Sequence, residues 1–308
     1  MTTEHSLYLF DTHALVFWAN KQCISDTFIR FFDEQVEKRP VISTITDHST
    51  NELTSYQISY TVTGIESTNL TVTAMSSDTT LIPQNILTIV QTGENYTLSI
   101  VPVMSEAGTT NITKTLTDGE NFVDTVFMVT VEAVQFQISG YVGYYLDPAN
   151  QPISNVALSL SGKFSYSAVT DSSGNYTLAN VRPGNYTQTI EKSDETGGIA
   201  LSDAISILKA AVSLNTLSCE QILAGDANMN DRITPLDAAK VSRLVAGMIS
   251  NMNNDNIRWR FIPELVADCS SWPPIPFSNN SSLTITTDIS GQDFIGILLG
   301  DVDGDWSP

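Results

Sequence analysis

The chain has 308 residues, enough for about two domains at roughly 150 residues each, or three if they are small β modules. Charged residues are only 16% of it, yet the formal net charge is −20, which argues against the Lys/Arg footprint that a nucleic-acid partner requires. No run of about 20 apolar residues is present to span a bilayer, and the three histidines, His5, His13 and His48, all lie near the start, so later segments must work without imidazole.

In chain order, residues 1–34 carry a short apolar run, Leu7 to Phe10, then Asp11 and His13, and end on Phe28 to Phe32. They read as strand, turn and helix. The start has no basic stretch of the kind that opens a secretion signal. Residues 35–134 change to Thr/Ser/Val alternation, as in Ile58 to Val62, Leu70 to Ala74, Tyr96 to Pro102 and Phe127 to Val131. Period-two runs broken by Gly, Asn and Asp predict an all-β sandwich. Residues 135–191 continue in β with few charges. Residues 192–255 switch to helical spacing, with one apolar stripe of Ile205, Leu208 and Val212 and another of Val241, Leu244, Val245 and Met248. These stripes are expected to be buried, against each other or a neighbouring sheet. Residues 256–308 return to β and end on the acidic cluster Asp301, Asp303 and Asp305.

The expected fold class is therefore mainly β and multidomain: two β-sandwiches, a small α-helical calcium module and a β C-terminal tail.

The most informative motif runs from Asp226 to Asp237. Asp226, Asn228, Asn230, Thr234 and Asp237 place side-chain oxygens at positions 1, 3, 5, 9 and 12 of a twelve-residue loop, and Arg232 offers its backbone carbonyl at position 7. A hard cation such as Ca²⁺ takes six to eight oxygens in this way. Only two ligands are full carboxylates, so the expected affinity is in the weak extracellular range of about 10⁻⁴–10⁻³ M. The structural alternative is an Asx-rich turn in which Asp237 favours the first turn of a helix. Position 6 is Asp231, where glycine normally permits a left-handed backbone.

Loop and helix together, Gly225 to Gly247, resemble half of a dockerin, the duplicated calcium module that docks onto cohesins in cellulosome-type assemblies. The duplicate lies upstream, with Asp203 matching Asp237 and Lys209 matching Arg243. Its loop is degraded: Lys192, Asp194 and Thr196 stand at positions 1, 3 and 5, and a lysine cannot ligate Ca²⁺. Because Asp301, Asp303 and Asp305 repeat the 1, 3, 5 spacing, a second metal site is expected from Asp194, Asp203, Asp301, Asp303 and Asp305, the alternative being a solvated acidic terminus. The resemblance implies a cohesin-like partner, recognised in part by Lys209 and Arg243, and a link to polysaccharide breakdown.

Residues 137–187 contain Ile138 to Val142, Thr170 to Leu178 with an Asp171 to Gly174 hairpin turn, and Pro183 to Tyr186. They are similar to the prealbumin-like sandwich of the carboxypeptidase-regulatory type. Tyr176 and Tyr186 read as core and corner tyrosines rather than sugar platforms. Residues 40–133 resemble the cadherin-like or immunoglobulin-like repeats of bacterial surface proteins, and Glu52, Asp118 and Asp124 are either interdomain calcium ligands or solvated turn acids. Cys219 and Cys269 are a candidate disulfide in a secreted chain.

Leu9 to Ala19, with Asp11, resembles the opening of PIN-domain toxin nucleases, whose metal is held by several carboxylates; the match stops near Glu34. One carboxylate makes no two-metal site. The expected function is a non-catalytic extracellular Ca²⁺-binding assembly or adhesion protein. The alternatives are a non-catalytic fragment of a glycoside hydrolase and, third, a PIN-type ribonuclease.

Overall fold

A computed structural model describes residues 41–63, 70–118, 122–193, 197–263 and 279–307. The nuclease-like opening with Asp11, and Asp194 and Thr196 of the degraded loop, lie outside them. The described chain is mainly β, with 16 strands in four sheets and three short α-helices. It divides into two units, Met1–Glu132 and Ala133–Pro308.

In the first unit, strands β1 (Val41–Ile42), β3 (Tyr56–Thr63), β6 (Asn95–Ile100) and β5 (Thr88–Thr92) form one sheet in the order β1-β3-β6-β5. The other sheet runs β2-β8-β7-β4, from β2 (His48–Asn51), β8 (Phe122–Glu132), β7 (Gly108–Thr117) and β4 (Thr71–Ser76). Alternation dictates which residues meet between them: Ile58, Tyr60 and Val62 of β3 face Ile112 and Leu116 of β7 and Phe127, Val129 and Val131 of β8 in one core. Thr92 pairs with Asn95, and Gly93 takes the φ of 64° that their two-residue turn demands. One inward position breaks the apolar rule. Lys114 of β7 is fully buried, with Nζ 3.5 Å from the centre of the Tyr60 ring and without a hydrogen-bond partner.

The second unit begins as the expected sandwich. β9 (Phe136–Tyr144) pairs with β12 (Asn175–Val181), and β10 (Ala157–Ser161) lies between β11 (Ser165–Val169) and β13 (Gly184–Glu191). Tyr176 and Tyr186 are both buried; the Tyr186 hydroxyl donates to Arg182 O at 2.9 Å, as a corner tyrosine does. The Asp171 to Gly174 turn forms, with Asp171 Oδ1 accepting from Ser173 N and Asn175 N and Gly174 at φ 75°. It is not a hairpin, however. It carries the chain from β11 in one sheet to β12 in the other.

The segment after residue 255 enters both sheets. β15 (Asn280–Ile285) pairs with β13, giving the order β11-β10-β13-β15. β16 (Phe294–Leu298) pairs in parallel with β9 and antiparallel with β14 (Trp259–Ile262), giving β12-β9-β16-β14. Every residue of β14 and β16 is buried, as expected for strands covered on both faces.

Three helices pack beside them: α1 (Leu201–Ala211), α2 (Cys219–Gly225) and α3 (Pro235–Val245). Ala204 and Ile207 of α1, Leu223 and Ala224 of α2, and Ala238 and Val241 of α3 belong to the same core as Ile138, Val142, Trp259 and Trp306. The three segments that composition separates after residue 134 thus share one hydrophobic interior.

The expected helical stripes are placed differently. Ile205, Leu208 and Val212 are exposed, as are Val245 and Met248. The buried face lies one residue over, on Ala204, Ile207 and Ala238, where alanines let α1 and α3 approach closely; only Val241 is fully buried from the second stripe.

Candidate metal centre

The loop between α2 and α3 folds around two fully buried carboxylates, Asp226 and Asp237. Asp226 Oδ1 accepts from Asn230 N at 3.0 Å and its Oδ2 from Asp231 N at 3.1 Å. Asp237 Oδ1 accepts from Asn228 N at 3.1 Å, and Oδ2 from Thr234 N at 2.9 Å and Thr234 Oγ1 at 2.7 Å. Asp237 therefore closes the loop and starts α3, with Pro235 in the first turn where its missing N–H costs nothing. Asp231 adopts φ 62°, and Met229 φ 61°. The left-handed turn at position 6 is made by an aspartate in glycine's place.

A second arrangement of the same kind is split across the chain. Asp203, the third residue of α1, accepts on Oδ2 from Ala200 N at 2.8 Å, and on Oδ1 from Val302 N at 2.8 Å and Asp303 N at 3.0 Å. Asp301 Oδ1 accepts from Gly304 N at 2.8 Å, and its Oδ2 from Trp306 N at 3.0 Å and Tyr144 Oη at 2.5 Å. Each helix-initial aspartate thus binds the N–H three residues before it and the N–H of its loop's third position. Gly304, at position 4, has φ 72° and matches Met229. Gly198 has φ 84°, and a Cβ there would stand 2.7 Å from Trp306 Cα. Only glycine lets these halves close.

Asp203, Asp301 and Asp303 are the cluster that could hold a metal among the described residues, each offering a carboxylate oxygen within 4.8 Å of the others. Glu52, Asp118 and Asp124 form no such group; Asp124 accepts from Thr115 Oγ1 at 2.6 Å. Asp305 is exposed and outside the cluster. Lys192 donates to Ser154 O at 3.1 Å. Burial pushes the Asp301 carboxyl up to about 6 despite the hydroxyl and N–H donors around it, and it raises Asp203 and Asp226 as well.

Both arrangements suit a hard cation. Calcium–oxygen distances of about 2.3–2.6 Å put opposite ligands roughly 4.6–5.2 Å apart, so three carboxylate oxygens all within 4.8 Å of one another can share one ion. In the continuous loop, Asn228 Nδ2 is buried without a partner, and turning that amide presents its oxygen instead. Sequence reasoning missed one functional neighbour. Arg260 Nη2 of β14 lies 3.2 Å from Asp226 Oδ2, in an ion pair buried on both sides.

Lys209 and Arg243 are exposed at the C-terminal turns of α1 and α3. Near them, Leu201, Ile205, Leu208 and Pro235 line a shallow groove between the helices, floored by Ala204 and Ala238. Cys219 is disulfide-bonded, and Cys23 and Cys269 both lie outside the described residues. No described helix is long and apolar enough to cross a membrane.

Residues 137–196 match the family described as carboxypeptidase regulatory-like domain, which makes this stretch a sandwich of that type. No curated protein matches the chain. Among solved structures, an endo-fucoidan hydrolase of glycoside hydrolase family 107 is 15% identical with a TM-score of 0.26, covering 51% of this chain and 27% of its own. BcpA, the major pilin subunit of Bacillus cereus, is 9% identical over 52% of this chain and 61% of its own, with a TM-score of 0.21. The Bacillus anthracis TIE protein is 12% identical over 58% of this chain and 38% of its own, at 0.32. The chain thus spans about a quarter of the hydrolase's length, and at such low scores nothing of these proteins' activity transfers to it.

Proposed function

We propose that the second unit is a calcium-binding assembly module of a modular extracellular protein, and that it is non-catalytic. Its continuous loop would hold one Ca²⁺ through Asp226, Asn228, Asn230, the Arg232 carbonyl, Thr234 and Asp237. Asp203, Asp301 and Asp303 would hold a second.

The observation that carries this reading is the equivalence of the two loops: two buried helix-initial aspartates, each tied by the same hydrogen bonds to an acidic half-loop, one continuous and one split. A capping role alone would leave the other buried carboxylates, Asp226 and Asp301, without a reason to converge on the same loops. The disulfide at Cys219 favours an oxidising compartment. The exposed apolar groove of α1 and α3, flanked by Lys209 and Arg243, supports docking to a cohesin-like partner; the link to polysaccharide breakdown rests on the dockerin resemblance alone.

The test is calorimetric Ca²⁺ titration of the full chain beside Asp226→Ala and Asp203→Ala. Two bound ions are expected in the parent chain and one in each variant. A parent chain that takes up no calcium would falsify the reading.

A further inference from the structure

Arg260 is the one cation that reaches either centre among the described residues. It is 4% exposed, held in β14 beside β16, and its Nη2 donates to Asp226 Oδ2 at 3.2 Å while Nε has no partner. Asp226 is fully buried, and an ionised carboxylate so placed needs a positive partner. The split centre differs. Asp203 and Asp301 receive backbone N–H groups, one of them from Asp303, and Asp301 also the Tyr144 hydroxyl; among the described residues no basic side chain pairs with the three carboxylates.

We propose that Arg260 is a tethered stand-in for the metal: it satisfies Asp226 in the cation-free chain and thereby sets the calcium affinity of the continuous loop below that of the split centre. This rests on the calcium reading above. A guanidinium stays charged throughout the physiological range, so it cannot yield by losing its proton. It must remain, repelling the incoming ion, or leave a site where both partners are buried. Either course costs binding energy at the loop, and by linkage the same interaction stabilises the unit without calcium. The split centre has no such substitute among the described residues, so an incoming cation meets no competitor there.

The test is calorimetric Ca²⁺ titration of the full chain and of Arg260→Gln, which drops the charge but keeps an amide donor for Asp226, with Arg260→Lys as the charged control. Thermal unfolding of each is followed in chelator and in calcium. In Arg260→Gln the weaker site should tighten by about tenfold, ~1.4 kcal/mol, and Tm in chelator should fall while Tm in calcium holds. Arg260→Lys should stay near the parent affinity. A weaker site left unchanged or weakened further in Arg260→Gln overturns the proposal and leaves the calcium reading standing; a parent chain with no calcium binding removes both. Should Arg260→Gln be unfolded in chelator, recovery of its near-UV circular dichroism on adding calcium supports the stand-in role, and failure to recover at millimolar calcium overturns it.

Discussion

Lys114 shows what a single residue can cost. Its amine is buried against the Tyr60 ring with no hydrogen bond, and a cation–π contact only partly replaces lost hydration. Burial lowers its pKa from 10.5 to about 8. The unfolded chain then binds more protons than the folded one between about 8 and 10.5, so the first unit should gain stability as pH rises through that window. Lys114→Met should stabilise the unit at pH 7 by roughly 1–3 kcal/mol and flatten this pH dependence, read from Tm across pH. At this scale the sequence was partly legible. The spacing of Asp226 to Asp237, and of Asp301 and Asp303, placed carboxylates where the structure gathers them. Arg260 left no signal, because a partner 34 residues from Asp226 is delivered by strand pairing, not by any local pattern.

At the scale of elements, α1 and α3 exist where periodicity predicts them, yet the apolar stripe of α1 faces outward and that of α3 is divided, with Val241 and Leu244 against the core and Val245 outside it. Side-chain size explains it. Alanines at 204 and 238 allow close helix contact, and Ile207 and Val241 fill the interior beside them. Hydrophobicity alone does not say which of two neighbouring faces is covered. An exposed face of Leu201, Ile205 and Leu208 therefore contributes little to folding. Ile205→Asp should change stability by no more than about 0.5 kcal/mol while abolishing capture by a cohesin-like domain in calcium. A loss of Tm equal to that of a core substitution would show instead that the face is covered within the chain.

Across the whole molecule, the four-sheet β architecture was legible from alternation and turn spacing. The union of the last three segments was not: β14, β15 and β16 carry ordinary strand text, and nothing in their periodicity names β9 and β13 as partners. Residues 300–307 complete this unit through Asp301, Val302 and Trp306, all buried. Deleting them should lower the unfolding temperature of the 133–308 unit sharply and leave the transition of the first unit in place, as measured by differential scanning calorimetry. Two transitions that fall together would contradict the division into two cores.

Placing β16 at the centre of a sheet also orders events in time. Tyr144 meets Asp301 across 157 positions, and at about 5–20 residues per second a ribosome needs roughly 8–30 s to supply that interval. Until β16 is made one edge of β9 has no neighbour, and until β15 is made one edge of β13 has none. A nascent chain in this condition is prone to pair with other copies of itself. The stretch 137–196, expressed alone, would carry that unfinished state permanently.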